Sequence, residues 1–176
     1  MKDSSKVIRC DSFRWQGVEL AAYKAPGAQF KDVTRQTLLG EGEGEGTLNF
    51  IVRYFEVQSG GYSSLERHQH PHAVVVLRGE GRVVLGGQSH AIAPYDCVYV
   101  APGAIHQFHA TGGEPLGFLC IVDRVRDQPQ PVSEDERRAR DERLDLPAPA
   151  DGGAPGAPKP GRASIQRREE WHPDRP

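Results

Sequence analysis

Glycine and proline turns divide the middle of this chain into short apolar segments, and this spacing restricts its fold more than any other feature. The turns include Gly60-Gly61, Gly79-Glu80-Gly81, Gly86-Gly87, Pro102-Gly103 and Gly112-Gly113. The segments between them are rich in Val, Ile, Phe and Tyr, and turns about every 8 to 12 residues are typical of sandwiches and barrels. The sequence therefore predicts an all-β, antiparallel body with strands near 48–57, 73–78, 82–85, 89–92, 97–100, 105–110 and 118–122.

The composition changes after Val125. Hydrophobic residues form only 37% of the whole chain, and nine of its 14 prolines lie in 127–176. Such a segment buries too little apolar area to offset the entropy cost of ordering it. We therefore expect 1–47 to be an N-terminal arm with edge strands, 48–125 to be the barrel, and 126–176 to be a largely disordered tail rich in Pro, Gly and charge. Within that tail, Ser133-Glu134-Asp135-Glu136 has the form of a capping box and predicts a short helix that reaches Leu144.

Net charge and hydropathy argue against several classes of partner. The formal net charge is −2, which favours neither nucleic acid nor a membrane surface as a partner. No apolar segment approaches the roughly 20 residues of a membrane span, and the first residues do not form a secretory signal. We expect a cytoplasmic protein. Its three cysteines are expected to be free thiols, with Cys97 and Cys120 packed as small apolar groups or facing a pocket.

Histidines are concentrated in one short segment. In Glu66-Arg67-His68-Gln69-His70-Pro71-His72, three histidines and one glutamate occupy alternate positions. If the segment is extended, these four side chains project from one face. Imidazole and carboxylate together suit a divalent transition metal such as Fe, Mn, Ni, Cu or Zn. The alternative is a hydrated, histidine-rich edge strand.

The same segment resembles the first motif of the cupin superfamily, G-x5-H-x-H-x3,4-E-x6-G. Gly79 in Val76-Leu77-Arg78-Gly79-Glu80-Gly81 matches the closing glycine. Counting back from it, His72 takes the glutamate position, His68 the second histidine position and Glu66 the first. His68 and His70 also form a literal H-x-H, which makes His70 either an alternate ligand or a residue beside the metal that supports its ligands.

The second cupin motif, G-x5-P-x4-H-x3-N, resembles the stretch from Tyr95 to His106. His106 matches its histidine, while Tyr95 replaces the glycine, Pro102 lies one place late and Ala110 replaces the asparagine. The chain thus resembles a small bacterial single-domain cupin of the cupin 2 type. That resemblance implies a jelly-roll barrel holding one divalent metal on Glu66, His68, His72 and His106, and a homodimer.

The resemblance implies several activities for such a site. Phe108 lies on the same strand face as His106, and one register of the final strand adds Cys120 to a mostly apolar pocket. We favour a small metal-dependent oxidoreductase of the dioxygenase type that acts on a small organic molecule. The alternatives are a non-catalytic metal or ligand-binding module and a cupin isomerase or cyclase.

Overall fold

A computed structural model describes residues 3–24 and 29–144 of the chain. Over these residues the fold is all-β with one helix. The elements are β1 (Cys10–Asp11), β2 (Arg14–Trp15), β3 (Ala21–Ala22), β4 (Lys31–Leu39), β5 (Phe50–Tyr62), β6 (Glu66–Arg67), β7 (His72–Arg78), β8 (Gly81–Leu85), β9 (Gln88–Ile92), β10 (Cys97–Val100), β11 (His106–Ala110), β12 (Leu116–Asp123), β13 (Gln130–Pro131) and α1 (Glu134–Leu144).

Eleven strands, β3 to β13, form one curled antiparallel sheet, and β5 connects its two halves, while β1 and β2 pair as a separate two-stranded sheet. Along most of its length β5 pairs with β4 on one side and β12 on the other, and β12 continues to β7 and β10. At its end, Tyr62 pairs with His109 of β11, which continues to β8 and β9. This curling is the expected jelly-roll barrel, and it brings the two halves face to face.

The seven predicted strands are confirmed as β5 and β7 to β12, with ends shifted by a few residues. Alternation along them builds the core, since one face of each strand turns inward. In β12, for example, Phe118, Cys120 and Val122 are all buried. They pack with inward residues of β5 and β7 in one apolar cluster.

Two turns explain the motif positions noted above. Gly79 has φ +68°, and a Cβ at this position would collide with the carbonyl oxygen of Pro115, so only glycine fits. Tyr95, which replaces the motif glycine, also has positive φ, +75°. Tyr95 therefore adopts a left-handed backbone conformation that costs a residue other than glycine conformational free energy.

The first 47 residues do add strands at a sheet edge, because β4 pairs with β5 and β3 pairs with β4. The expectation for Cys97 is wrong. Cys97 is exposed, as is Cys10, while Cys120 is buried. In β10 the inward positions belong to Val98 and Val100, and strand alternation therefore turns Cys97 outward.

The structure departs from the expected tail at residues 127–144, which are folded against the barrel. β13 pairs with β6, and Val132 is buried. The predicted capping box is confirmed, because the Ser133 hydroxyl accepts the Glu136 amide at 3.3 Å and the Ser133 amide donates to the Glu136 carboxylate at 3.2 Å. Composition missed this packing because a few long-range contacts, not total apolar content, order the segment. The rest of the predicted tail, 145–176, lies outside the described residues.

The described residues, 3–24 and 29–144, belong to one compact unit. Within 3–24 and 29–144, no helix is long and apolar enough to cross a membrane.

Candidate metal centre and cavity

Three buried histidines meet inside the barrel. His72 begins β7, His106 begins β11, and His68 lies in the connection between β6 and β7. One nitrogen from each ring can be chosen so that all three lie within 4.8 Å of one another. The three side chains are at most 8% exposed. This is the histidine group selected from the register to Gly79.

The hydrogen bonds of two rings leave the other ring nitrogen free. His68 Nδ1 lies 2.7 Å from the His70 carbonyl oxygen, and His106 Nδ1 lies 3.0 Å from the Ala104 carbonyl oxygen. Because a carbonyl oxygen only accepts, each Nδ1 carries the proton and each Nε2 keeps a lone pair. The Nε2 atoms of His68 and His72 are buried without a partner. Unpartnered buried nitrogens facing one another fit a metal ion, which would bind them all.

The electrostatics favour neutral rings. Burial lowers the pKa of His68 to about 4, and repulsion from His106 and His70 adds to this effect. Burial also lowers the pKa of His72 and that of His106. Neutral imidazole is the form that binds metal, so the site is suited to a cation at neutral pH without first losing protons.

His70 has a different partner. Its Nδ1 donates to Asp127 at 2.7 Å, and the same carboxylate accepts the backbone amides of Gln69 and His70. These bonds hold the pKa of Asp127 well below its usual range, with the Gln69 amide the largest cause. The His70 ring stacks on His68 with centroids 3.7 Å apart. His70 therefore supports the triad from one side and is not part of the close donor group.

Glu66 also lies outside that group of close donors. It is buried and forms an ion pair with Lys24. The pairing of β6 with β11 places Glu66 opposite His106, so its carboxylate remains on the cavity wall beside the triad. The structure therefore brings three of the four predicted ligands together and gives the fourth a lysine partner.

The predicted alternation holds even though the segment is not a continuous strand. Only Glu66–Arg67 and the residues from His72 onward have strand geometry, and 68–71 form an irregular connection. Even so, Glu66, His68, His70 and His72 are all buried while Gln69 between them is exposed.

A cavity of about 510 Å³ opens beside the triad. Phe108 and Cys120, the two predicted pocket residues, are in its wall, as are Phe55 and Phe118. Burial raises the pKa of the Cys120 thiol, which disfavours the thiolate. His109 points elsewhere, and its Nε2 lies 3.1 Å from the Gln107 side-chain oxygen.

Several polar and charged residues of the cavity were not predicted from the sequence. These are Tyr23 and Lys24 from the N-terminal arm, Arg35 from β4, Arg53 from β5, and Arg124, Arg126 and Asp127 after β12. Arg53 and Phe55 alternate on one predicted strand, which was the only available indication that an arginine faces inward. Arg124 follows the last predicted strand of the barrel, and the others come from segments that were predicted to be an arm or a tail.

Comparison with known proteins decides the family. The model of the cupin domain family matches residues 53–122. A curated protein from Rhodospirillum rubrum, 1-methylthio-D-xylulose 5-phosphate methylsulfurylase, is 50% identical over 119 residues, which cover 67% of this chain and 74% of that protein. The chain is a cupin. The stretch matched by the family model contains both motifs and all three histidines of the triad.

Solved structures resemble this cupin over most of its length. A cupin-2 domain protein from Rhodospirillum rubrum is 45% identical, with a TM-score of 0.66, over 76% of this chain and 88% of its own. A cupin 2 barrel protein from Rhodopseudomonas palustris is 41% identical, with a TM-score of 0.69, over 77% and 91%. These neighbours agree with a small bacterial cupin of the cupin 2 type.

Proposed function

We propose that this cupin is a metal-dependent enzyme that acts on 1-methylthio-D-xylulose 5-phosphate or a close relative and removes its methylthio group. The observation that carries the proposal is the 50% identity to the methylsulfurylase over two thirds of the chain. The cavity supports it, because a histidine triad and several arginines face one volume of about 510 Å³, and pockets of this size hold small organic ligands.

The substrate named for that relative has three chemically different parts. It is a ketose with a carbonyl group, a methylthio group on the neighbouring carbon and a phosphate at the far end. His68, His72 and His106 would hold a divalent metal through ring nitrogens. When bound, such a metal supplies Lewis acidity to the ketose carbonyl oxygen.

We assign proton exchange during the reaction to Glu66. It is buried on the cavity wall, and strand pairing places it opposite His106. Lys24 forms an ion pair with its Oε2, which fixes the carboxylate and offers a cation to a charge that develops nearby. Phe55, Phe108 and Phe118 line the same cavity, where their rings exclude water from the reacting carbons.

The dioxygenase activity expected from sequence is the competing hypothesis. The two hypotheses differ in what is consumed. A methylsulfur transfer needs a sulfur acceptor, for which a small thiol is the natural chemical class, whereas a dioxygenase consumes oxygen. The metal and the location remain predictions, namely one of Fe, Mn, Ni, Cu or Zn and the cytoplasm.

The test is to incubate the metal-loaded protein with 1-methylthio-D-xylulose 5-phosphate, with and without a small thiol, while recording substrate loss by mass spectrometry and oxygen by electrode. We expect thiol-dependent loss of the methylthio group without oxygen uptake. His106→Ala should abolish turnover, and His90→Ala, at an exposed residue outside the cavity, is the matched control. Intact substrate in the presence of every metal tried, or oxygen uptake that matches substrate loss, would refute the proposal.

A further inference from the structure

Two arginines lie side by side on the inner face of the sheet, in the wall of the cavity that the histidine triad also lines. Arg35 of β4 pairs with Phe55 of β5, and Arg53 precedes Phe55 by two residues on the same strand face. Arg53 also lies opposite Cys120 of β12. Because side chains two apart on a strand share a face, both guanidinium groups enter the cavity that Phe55 lines.

These two charges have no counterion in the part of the chain that the structure describes. No carboxylate among the described residues lies within 4.0 Å of the guanidinium of Arg35 or Arg53. The Nε of each is buried and lacks a hydrogen-bond partner. Among the described residues, the hydrogen-bond acceptor of Arg53 Nη2 is the weak acceptor Cys120 Sγ, at 3.4 Å, and the guanidinium lies over the Phe55 ring, 5.1 Å from its centroid. Buried cationic donors without acceptors are costly unless something that enters the cavity satisfies them.

A third arginine adds to the same positive region. Burial, followed by repulsion from Arg53, lowers the pKa of Arg126. Its nearest carboxylate is Glu41, 4.0 Å away. The other carboxylates of the cavity wall are already engaged, since Glu66 pairs with Lys24 and Asp127 accepts three hydrogen bonds from Gln69 and His70. The positive charge of the three arginines is therefore largely unneutralised.

We propose that Arg35, Arg53 and Arg126 form the subsite for a phosphate monoester whose other end lies at the histidine triad. Several guanidinium forks match the oxygens and the double negative charge of a phosphate better than those of a single carboxylate. In the sheet, β12 lies between β5 and β7, so Arg53 and His72 are two strand spacings and two residues apart, about 12 Å between their Cα atoms. Their side chains then converge on one cavity. This separation suits an extended sugar phosphate with its carbonyl group at the triad.

This assignment rests on the proposed function for the identity of the sugar, but its test does not require turnover. Calorimetry would measure binding of D-xylulose 5-phosphate, D-xylulose and D-xylonate to the full-length protein and to Arg35→Gln, Arg53→Gln and Arg126→Gln. Arg138→Gln is the matched control, because Arg138 is exposed on α1 and outside the cavity. Thermal unfolding of each variant shows whether it is folded, and if Arg53→Gln is not, Arg35→Gln and Arg126→Gln decide.

We expect each cavity variant to weaken binding of D-xylulose 5-phosphate about 10- to 100-fold, the loss typical of a hydrogen bond to a charged group. Arg138→Gln should bind like the wild type, and D-xylulose and D-xylonate should bind more weakly than the phosphate. Binding in the cavity variants within about twofold of the wild type would overturn the subsite. Equal affinity for D-xylulose or D-xylonate, or no binding of the phosphate at all, would overturn it too. If arginine-dependent phosphate binding persists in a protein that leaves the methylthio substrate intact, only the proposed function fails.

Discussion

At the scale of single residues, two of the three imidazoles of the proposed metal site are oriented by a neighbouring backbone group. Backbone carbonyl oxygens of His70 and Ala104 accept from His68 and His106, and the stacked His70 ring is itself held by Asp127. A ligand whose second nitrogen is hydrogen-bonded keeps its tautomer and its direction. This arrangement separates ligands from supporting residues.

Metal content should separate those roles. His68→Ala, His72→Ala and His106→Ala should each lose most of the bound metal, because each removes one of three close nitrogen donors. His70→Ala and Glu66→Gln should keep more of it, with metal affinity reduced about 10- to 100-fold for the loss of support. Elemental analysis of the five variants, purified side by side, measures this. An empty site in His70→Ala with a filled one in His72→Ala would show that the literal H-x-H of 68 and 70 binds the metal.

Tyr95 offers a test of backbone strain. Its φ is +75° and its side chain is 85% exposed, so it makes few contacts to offset an unfavourable conformation. Tyr95→Gly should raise the free energy of unfolding by about 0.5–1 kcal/mol, because glycine avoids the left-handed penalty but loses more entropy on folding. Tyr95→Ala removes the ring and keeps the strain, so it is the control and should not gain stability. Urea denaturation of the three proteins compares them.

At the scale of elements, α1 and the segment before it complete the barrel wall. Arg67 of β6 forms an ion pair with Glu136 at 2.7 Å, and the buried Arg140 donates to Gln107 of β11 at 3.1 Å. Arg126 and Asp127 line the cavity itself. The residues after β12 therefore form part of the cavity wall and also contribute to the stability of the fold.

Truncation tests that role. A chain ending at Leu146 should keep the melting temperature and metal content of the full-length protein, because it retains the whole compact unit. A chain ending at Val125 should melt lower and hold less metal, since it lacks Asp127, β13 and α1. Equal melting temperature and metal content in both chains would show that the segment after Val125 behaves as the mobile tail that composition suggests.

The contact of α1 with β11 also predicts a pH dependence. Burial, with repulsion from Arg82 and Arg140, lowers the pKa of His109 from its usual value of 6.5 to about 4. Between pH 4 and 6.5 the unfolded chain therefore binds a proton at His109 that the folded chain does not. The folded state loses no stability through this group above pH 6.5, and it becomes less stable as pH falls toward 4. In the metal-free protein, His109→Gln should reduce the acid-side slope of unfolding free energy by up to about 1.4 kcal/mol per pH unit. The exposed His90→Gln is the control, and an unchanged slope in His109→Gln would contradict the prediction.

At the scale of the whole molecule, some of the described strands pair with a neighbour on one side only and leave their other edge open. Among the described residues β10 pairs only with β7, and its Tyr99 is 66% exposed. An open edge with an exposed aromatic ring favours pairing with a second copy. We therefore expect a homodimer, and light scattering at micromolar concentration should give twice the chain mass of 19.4 kDa. Tyr99→Glu should weaken the dimer if this edge forms it, and a monodisperse wild-type monomer would contradict the prediction.

The sequence by itself determined the features that depend on local spacing. Turn residues marked the strands, period-two alternation put His68 and His72 on the inner face, and the glycine requirement at Gly79 gave their register. Only the tertiary structure decided what depends on strand pairing between distant segments. The ion pair of Lys24 with Glu66, the bond from His70 to Asp127 and the convergence of Arg35, Arg53 and Arg126 join residues 42, 57 and up to 91 positions apart. Spacing within one strand carries no information on which other strand will face it. These partners therefore could not be predicted without the topology of the curled sheet.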